Sequence, residues 1–334
     1  MRQNLQHNSW FKIFFKILLV TVLLLLLTQV NIDYYLVRPG TVVETSEVIN
    51  VKENGQEYGN LFLTTVNQAP SNIVTFLYGS VSPNVELRPG EEVIPPEIDT
   101  QEYHEMMQQY MIDSQNMAKV VALDNMGYNV DLKGEGVRLL EISEDSPAQG
   151  ILEPNDLIIE IDDKDVILAE QFVNYISDMT VGDEVELTVK RKEERIVESI
   201  ETIDHPENPT QGFLGVYIKS ENWEPVTPVE IDIDAGEIGG PSAGLMFVLE
   251  IMNQLTENDL TDDSKIAGTG AINLDGTVTP VGGVNHKVRA AEEIDAKYFF
   301  VPKENYKEAE QAATTIEIVK VENVSEAKEF LEEL

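Results

Sequence analysis

The pattern of apolar and polar residues changes sharply along the chain, and its first segment is almost entirely apolar. WFKIFFKILLVTVLLLLLTQV runs from Trp10 to Val30, and only Lys12 and Lys16 within it are charged. About 20 consecutive apolar residues are needed to cross the hydrocarbon core of a bilayer as a helix. The segment therefore predicts a transmembrane helix over residues 11–30.

A cleaved signal peptide also has a basic start and an apolar middle, so the two must be distinguished. No small-x-small cleavage site follows the apolar run, and Tyr34 and Tyr35 stand where aromatic residues anchor a helix at the membrane interface. The pattern thus favours an uncleaved signal anchor. The basic residues near the start of the chain are Arg2, Lys12 and Lys16. Their position predicts that residues 1–10 are cytoplasmic and that the body is extracellular.

Beyond residue 40, the pattern predicts strands and two prominent helices. NLFLTTVNQ, NIVTFLYGSV, FLGVYIKS and VEIDID have the composition of strands. TQEYHEMMQQYMIDSQNMAKVVALDNMG predicts a long helix capped by Thr100, and SAGLMFVLEIMNQL predicts a buried one. The stripe of the long helix that is expected to pack in the core consists of Met106, Tyr110, Ile112, Met117, Val120 and Val121.

Composition then narrows the class of function. The chain has 60 Asp and Glu against 23 Lys and Arg, a formal net charge of -37. Nucleic-acid binding needs Lys and Arg to displace counterions, so no nucleic-acid partner is expected. The absence of cysteine excludes thiol catalysis, disulfides and Cys-ligated zinc. The histidines are scattered along the sequence, so neither a metal site nor a cofactor is predicted.

Residues 126–205 alternate short strands with one helix, predicted from Ala169 to Met179. SPAQGIL, PNDLIIEIDDKDV and GDEVELTVKR, with the loop that precedes them, resemble a PDZ domain. Loop N–H groups would then hold a peptide carboxylate, and the strand Arg138–Ile142 would pair with an extended peptide by β-augmentation. The peptide-binding residues expected on this basis are Gly134, Glu135, Gly136, Val137 and Leu139. The alternative is a PDZ-like scaffold whose groove has no ligand.

A second segment, GEIGGPSAGL at residues 236–245, places Ser242 where an apolar helix begins. A serine in this position commonly caps the helix by accepting a backbone N–H. The position also suits a nucleophile, because free N–H groups and the positive end of the helix dipole stabilise an oxyanion. The local sequence leaves both roles open.

A serine nucleophile needs a base. At about 100° per residue, Lys287 falls on the apolar stripe of the helix that follows Gly282-Gly283, whereas His286 is turned away from it. Burial disfavours the charged form of a lysine, so that its neutral amine can take a proton. The alternative is that Lys287 extends to water along its apolar stem.

The two segments together, GGPSAG and IAGTGAINLDGTVTPVGGVNHKVRAA, closely resemble the proteolytic domain of the Lon family. The resemblance implies that Ser242 is the nucleophile and Lys287 the general base of a Ser–Lys dyad. It also implies that Thr269 helps to orient the dyad and that Gly240 and Pro241 support the serine.

The resemblance further implies an α+β fold. An N-terminal transmembrane helix would precede a Lon-like α/β protease domain, which is split into residues 41–125 and 207–334 by a PDZ domain inserted at 126–205. This order resembles the membrane-anchored PDZ–Lon-like proteases of Gram-positive bacteria, some of which trim secreted signalling peptides. Because Lon-like domains often form rings, a homo-oligomer is left open.

Three features depart from the Lon pattern. The sequence has no G-x-x-x-x-G-K-[ST] loop, so ATP-driven unfolding is not expected and substrates should be short or already unfolded. Gly239 stands where many relatives have an acidic residue, and Ala271 stands where some have glutamate. These changes make it doubtful that an acidic side chain at either position assists the reaction, but they leave the Ser–Lys dyad intact.

Three functions are therefore compared. The favoured one is an ATP-independent, membrane-anchored serine endopeptidase that cleaves extracytoplasmic peptides presented by the PDZ domain. A non-catalytic, membrane-tethered peptide-binding protein with a relic protease domain would tolerate Ser242→Ala but not changes in the loop Gly134–Val137. A Ser–His hydrolase that uses His286 would tolerate Lys287→Ala.

Overall fold

The computed structural model describes residues 3–52, 59–96, 98–192, 194–206 and 208–334. Arg2, one of the basic residues used to predict orientation, and Glu207, at a predicted domain limit, lie outside these residues. The chain divides into two compact units. Unit 1 contains Met1–Ala118, Ile231–Ile272 and Gly276–Leu334, and unit 2 contains Lys119–Glu230 and Asn273–Asp275.

Helices and strands are mixed throughout the described residues, as the predicted α+β class requires. The helices are α1 (Gln3–Leu27), α2 (Ile73–Gly79), α3 (Gly90–Val93), α4 (Thr100–Asn125), α5 (Ala169–Asp178), α6 (Gly244–Leu255), α7 (Val284–Glu293), α8 (Tyr306–Ala312) and α9 (Val324–Glu332). The strands of unit 1 and unit 2, numbered together in chain order, are β1 (Asn31–Glu44), β2 (Ile49–Val51), β3 (Leu61–Asn72), β4 (Glu86–Pro89), β5 (Asp131–Lys133), β6 (Gly136–Ile142), β7 (Leu157–Ile161), β8 (Lys164–Asp165), β9 (Glu184–Arg191), β10 (Glu194–Glu201), β11 (Ile203–Asp204), β12 (Gly212–Phe213), β13 (Val216–Glu221), β14 (Glu224–Val226), β15 (Ile231–Ile233), β16 (Ile266–Gly268), β17 (Ala271–Ile272), β18 (Val278–Thr279), β19 (Tyr298–Pro302) and β20 (Glu317–Val321).

The main sheet of unit 1 has, among the described residues, six strands in the order β20-β19-β16-β3-β1-β4. Strands β3, β16, β19 and β20 are parallel, and β1 pairs antiparallel with both β3 and β4. The pairing of β16 with β3 covers only Leu61 to Leu63. Within the described chain, the edge of β3 that faces β16 is therefore unpaired beyond Leu63.

Helix α6 lies in the core of unit 1, and its residues from Gly244 to Gln254 are all buried. A helix that is apolar on nearly all sides is typical of such a position. The sequence prediction of a buried helix is confirmed. Its predicted apolar residues, all of them fully buried, are Leu245, Val248, Leu249 and Met252. Burying one side chain of this kind contributes about 1.5–3 kcal/mol to folding.

Helix α1 contains a segment, Trp10–Leu27, that is long and apolar enough to cross a membrane. Nearly all of its side chains are exposed, unlike those of a core helix. A signal sequence near the N-terminus has the same length and composition. The chain thus has an N-terminal apolar helix that is compatible with a membrane anchor or with a signal sequence.

The run NIVTFLYGSV was predicted to be a strand, and that prediction is wrong because the run forms α2. Asn72 Oδ1 accepts hydrogen bonds from Val74 N and Thr75 N, both at 3.0 Å. In return, Thr75 Oγ1 accepts one from Asn72 N at 2.9 Å. This reciprocal capping box starts a helix and outweighs the strand preference of the β-branched and aromatic residues.

The long helix α4 has a different cap and a different inward face from those predicted. Asp99, and not Thr100, is the capping residue, since its Oδ1 accepts from the N–H groups of Gln101 and Glu102. Tyr110 and Ile112 of the predicted core stripe are exposed. The face buried within unit 1 instead carries Met111, Ser114 and Ala118. Val120 and Val121 of the predicted stripe are buried, as expected. The error lies at Tyr110 and Ile112, because the inward positions in that turn are Met111 and Ser114.

Unit 2 is built on a sheet with the strand order β10-β9-β7-β6-β13, to which β8 is added beside β7. Helix α5, predicted to end one residue later, packs Phe172 and Ile176 into the apolar core beside this sheet. Strands β12 to β14 pair with strands of unit 2, although the sequence placed them in the catalytic part that starts at 207. The domain limits 126–205 and 207–334 stay predictions, and the compact units change at Glu230.

Candidate active site

Ser242 lies in the turn that leads into α6, and the shape of this turn depends on glycine. Gly240 has φ +86°, a left-handed conformation that glycine adopts without strain. Its N–H donates to Met107 O at 2.7 Å. The N-cap position of α6 is Ala243, and no side chain caps the helix. Ser242 therefore does not have the capping role that the local sequence left open.

Helix α4 holds the serine turn from the other side. Ser114 Oγ donates to Pro241 O at 3.1 Å. A Cβ added to Gly239 would lie 3.1 Å from Met107 Cβ, closer than an ordinary van der Waals contact. Gly239 therefore permits the turn and α4 to pack closely. This offers a local reason why a glycine stands where an acidic residue was expected.

Lys287 is carried by α7, which begins after Gly283. Gly283 has φ +70°, and a Cβ added there would lie 2.7 Å from Val66 Cγ1, so glycine is required on both counts. Only 2% of Lys287 is exposed, which confirms the predicted inward position and rules out a side chain that reaches water. Its Nζ donates to Thr269 Oγ1 at 2.9 Å.

Thr269 connects the lysine to the serine turn. It is fully buried, and its Oγ1 donates to Ser242 O at 3.0 Å. The N–H of Gly270 donates to the same carbonyl oxygen at 2.9 Å. The structure thus brings together the three residues that the Lon resemblance singled out: Ser242, Thr269 and Lys287. Thr269 Oγ1 therefore bridges the Lys287 amine and the backbone carbonyl of Ser242.

Burial lowers the pKa of Lys287 to about 7, and the charge of Glu308 opposes this effect only in part. The charged ammonium is disfavoured because the surrounding protein is much less polarisable than water. At neutral pH, a substantial fraction of the amine is therefore unprotonated. A neutral amine beside a hydroxyl can act as a general base.

Two adjoining cavities of unit 1, of about 290 and 490 Å³, are both lined by Ser242 and Lys287. Thr64, Thr65 and Val66 of the unpaired β3 edge line the smaller one. The larger cavity has mixed apolar and polar walls that include Val37, Val66, Arg88, His104, Met107 and Glu237. None of these wall residues was predicted from the sequence. Glu237 was close to Ser242 in the segment GEIGGPSAGL, whereas nothing in the sequence linked the other wall residues to the serine.

His286 is buried, contrary to the expectation that it is turned away from the packed face of α7. Only 2% of it is exposed, and its Nε2 lies 3.3 Å from Glu86 Oε2 on β4. Burial lowers the pKa of His286, and the carboxylate of Glu86 partly offsets this. His286 lines neither cavity at Ser242. The arrangement does not bring it to the serine as a base.

In unit 2, the predicted peptide-binding strand is not available for strand addition. Strand β6 pairs antiparallel with β7 on one side and with β13 on the other. The N–H of Glu135 in the preceding loop already donates to Glu221 O at 3.1 Å. A Cβ on Gly136 would lie 2.4 Å from Ile158 O, so this glycine serves strand packing. The assignment of β-augmentation to Val137 and Leu139 is therefore wrong.

Strand β13 lies at one edge of this sheet and β10 at the other, and a cavity of about 120 Å³ lies between β13 and α5. Its walls are mostly apolar and include Phe172, Val173, Ile176, Leu214, Val216 and Ile218. Residues of β12 and of the turn after it also line this cavity, and Gly215 in that turn has φ +62°. This groove was not predicted from the sequence, although FLGVYIKS, which contains β13, was predicted to be a strand.

No group of three or more His, Cys, Asp or Glu residues in the described ranges is arranged to hold a metal ion.

Comparison with known proteins agrees with both resemblances. Residues 216–334 match the Lon protease (S16) C-terminal proteolytic domain, and residues 124–202 match the PDZ domain. Lon protease of Metamycoplasma arthritidis is 35% identical over 111 residues, which are 31% of this chain and 13% of the relative. Lon protease 2 of Bacillus subtilis is 36% identical over 89 residues, 27% of this chain and 16% of the relative.

Among solved structures, the PDZ domain of an SdrC-like protein from Listeria innocua is 33% identical. The match covers 25% of this chain and 92% of that domain, with a TM-score of 0.23. This chain spans less than a fifth of the length of the two Lon proteases, so their similarity concerns one domain and not the whole protein. The chain contains a PDZ domain and, C-terminal to it, the proteolytic domain of the Lon protease family.

Proposed function

We propose that this chain is a serine endopeptidase in which Ser242 is the nucleophile and Lys287 the general base. The observation that carries the proposal is a lysine with a pKa near 7 that faces the same cavity as Ser242. Thr269 supports the assignment because it binds both the lysine amine and the serine carbonyl.

In the proposed reaction, neutral Lys287 takes the proton of Ser242 Oγ as that oxygen attacks a peptide carbonyl carbon. Backbone N–H groups at the start of α6 stabilise the oxyanion of the tetrahedral intermediate. The C–N bond breaks as the Lys287 ammonium gives its proton to the leaving amine. Lys287 then takes a proton from a water molecule whose oxygen attacks the acyl carbon, and it gives this proton to Ser242 Oγ as the ester C–O bond breaks.

The substrate is proposed to be an extended peptide that lies along the unpaired edge of β3. Thr64, Thr65 and Val66 of this edge line the smaller cavity with Ser242, and an added strand would hydrogen-bond to their backbone groups. A folded domain does not offer a single extended strand. The substrates are therefore short peptides or unfolded segments, and the reaction needs no ATP.

The PDZ domain is proposed to bind peptide termini between α5 and β13, and not at β6. The exposed β13 edge supplies backbone partners, and the apolar cavity accepts one apolar side chain. Val173→Glu should weaken binding of a labelled peptide that ends in valine, because Val173 lines the cavity and is half exposed. Leu140→Glu is the matched control, since Leu140 is equally exposed on β6 and does not line the cavity. Equal binding by both variants in anisotropy titrations would contradict this location.

The chain is further proposed to be anchored by α1, with its N-terminus in the cytoplasm and its body extracellular. Lys12 and Lys16 near the start of the apolar segment support this orientation. The substrates would then be extracytoplasmic, and secreted signalling peptides are the class to test. A homo-oligomer stays open.

The test is casein cleavage without ATP by the full chain in lipid nanodiscs. Wild type should cleave, and Ser242→Ala should lower kcat by about 10⁴-fold or more. His286→Gln should retain activity, and its loss would favour the Ser–His alternative. If Ser242→Ala cleaves as fast as wild type, the assignment of Ser242 as the nucleophile is wrong. If wild type binds peptide but never cleaves, the non-catalytic binding protein is the better description.

A further inference from the structure

A small apolar surface lies on α2 and the turn that follows it. Leu77, Tyr78 and Val81 are 61%, 59% and 81% exposed, values similar to those of the side chains on α1. We refer to these three residues as the α2 patch. Large apolar side chains that are grouped on a protein surface often mark a site that binds another protein or a membrane.

Contacts within unit 1 place the α2 patch close to the end of α1. The N–H of Ile73, the first residue of α2, donates to Val30 O at 3.2 Å. The rings of Tyr34 and Phe76 meet edge to face, with their centroids 5.1 Å apart. Helix α1 ends at Leu27, and three extended residues span at most about 10 Å. The start of α2 therefore lies near the point where the chain would leave a bilayer.

The charge of the surrounding sequence fits the same location. No charged residue occurs from Leu61 to Val85, although a quarter of the chain is charged and its net charge is -37. Carboxylates would be repelled by anionic lipid headgroups and would lose hydration at the interface. An uncharged stretch beside the apolar helix avoids both effects.

We propose that the α2 patch is a second membrane contact, which inserts into the lipid interface beside α1. This inference rests on the proposed anchoring of α1. Tyr78 suits the headgroup level, where aromatic side chains with a polar tip are enriched, while Leu77 and Val81 add apolar area. A second copy of the chain is a poorer occupant, because a stable dimer buries about 800 Å² on each partner, far more than three side chains provide.

The proposed contact has a structural consequence for the candidate active site. Arg289 on α7 donates from Nη1 to Pro83 O at 3.1 Å and to Asn84 Oδ1 at 3.3 Å. The segment that follows the α2 patch is thus bound to the helix that carries Lys287. Two points of attachment, α1 and the α2 patch, hold unit 1 in one orientation on the bilayer, whereas α1 alone is a single tether.

Because the chain has no cysteine, single-cysteine variants can be spin-labelled without a background. We would label Leu77→Cys, Val81→Cys, Leu24→Cys within α1 and Ile112→Cys on α4, which is a half-exposed aliphatic control in unit 1. The full chain is placed in nanodiscs of phosphatidylcholine and phosphatidylglycerol. Collision rates are measured with oxygen, which enters lipid, and with a water-soluble nickel chelate.

The proposal predicts an oxygen-to-nickel collision ratio several-fold higher at positions 77 and 81 than at 112, and highest at 24. If position 24 is in lipid while 77 and 81 match 112, the second contact is refuted and the anchor stands. If position 24 is in water, the anchor fails and the second contact fails with it. Spin–spin broadening at 77 and 81 with low access to both reagents would assign the α2 patch to a second copy and overturn the proposal.

Discussion

Two buried ionisable residues of unit 1 have pKa values moved to about 7 by the same cause, yet their surroundings differ. Burial lowers the pKa of Lys287 and raises that of Glu250. Lys287 lines two cavities with Ser242, whereas Glu250, a fully buried residue of α6, lines none of the cavities described above. A shifted pKa therefore identifies a buried group, and access to a cavity distinguishes the one that can react.

The hydrogen bonds around Glu250 fit a neutral carboxylic acid. Thr45 Oγ1 lies 2.7 Å from Glu250 Oε2 and 3.0 Å from Leu61 O, but the hydroxyl has only one hydrogen. Both contacts are satisfied if Glu250 donates its proton to Thr45 and Thr45 donates to Leu61. Gln254 Nε2 donates to the other oxygen of Glu250 at 2.7 Å. Each polar atom of the acid then has a fixed partner inside the protein.

Lys287 has fewer fixed partners. Its described hydrogen bond is the one to Thr269 Oγ1, and the rest of its amine faces the space shared with Ser242. An ammonium has three protons to donate and an amine has two and a lone pair. A proton can therefore leave or arrive there without breaking the packing, which the enclosed Glu250 does not allow.

The largest effect that tests this contrast is the loss of activity on replacing the lysine. Lys287→Met keeps the length and apolar stem of the side chain but removes the amine that we propose as the base, so kcat for casein should fall by about 10²–10⁴-fold. Glu250→Gln is the matched control at the other buried group and should leave kcat unchanged. If Lys287→Met and Glu250→Gln lower kcat equally, both residues affect activity through the fold, and the distinction between a reactive and a structural buried group is wrong.

The next largest effect is on stability: Lys287→Met, which should lower activity, should increase the free energy of unfolding. The folded pKa of Lys287 is below its unfolded value of 10.5, so unfolding takes up a proton between about pH 7 and 10.5. Below pH 7, burial of the charged lysine therefore lowers the free energy of unfolding by its full amount. This destabilisation decreases as the pH rises and is lost by about pH 10.5. Lys287→Met should raise the free energy of unfolding by about 2–4 kcal/mol at pH 6 and by little above pH 10.

Urea unfolding of the full chain, followed by hydrogen-exchange mass spectrometry of α6 and α7, measures this gain. A variant that is less stable than wild type at pH 6 would contradict the burial of an unfavourable charge. Together, lost activity and gained stability are the pattern expected when a core position is kept for chemistry.

The site residues were predictable because their signals are local and carry a chemical reason. The glycines around Ser242 and the helical phase of Lys287 can be counted along the sequence, and the structure places both residues at one cavity. The cavity walls were not predictable. Thr64 on β3 and Met107 on α4 reach the serine through strand pairing and helix packing, which a single sequence does not specify.

The errors in the predicted fold have physical causes as well. Residues 73–79 favour a strand by composition, but Asn72 and Thr75 form a capping box that starts a helix. In unit 2, the glycines near β6 suggested a binding loop, whereas one of them allows strand β7 to pack closely. Strand β13 lies at an edge of the sheet and β6 does not, and which strand lies at an edge is decided by long-range pairing. Local patterns could not supply that order.

A third prediction tests whether Thr269 positions the amine of Lys287. Thr269→Val keeps the shape but removes the oxygen that binds Lys287 Nζ and the proton donated to Ser242 O. We expect kcat to fall by about 10–100-fold, since the amine is no longer aimed at the serine. The lost acceptor also favours the neutral amine, so the acid limb of the pH–rate profile should move below the wild-type value near 7. Thr269→Ser should restore both properties, and a fall in kcat with an unmoved acid limb would indicate a purely structural role.

The smallest effect is expected at Glu250. Its folded pKa is above its unfolded value of 4.5, so wild type loses stability as the pH rises from about 4.5 to 7. Gln in place of Glu250 can donate to Thr45 and accept from Gln254, as the neutral acid does, and it does not ionise. Glu250→Gln should therefore be more stable than wild type by about 1–2 kcal/mol at pH 8 and equally stable at pH 4. The urea measurement at these two pH values checks this, and a gain of the same size at pH 4 would show that ionisation of Glu250 is not its cause.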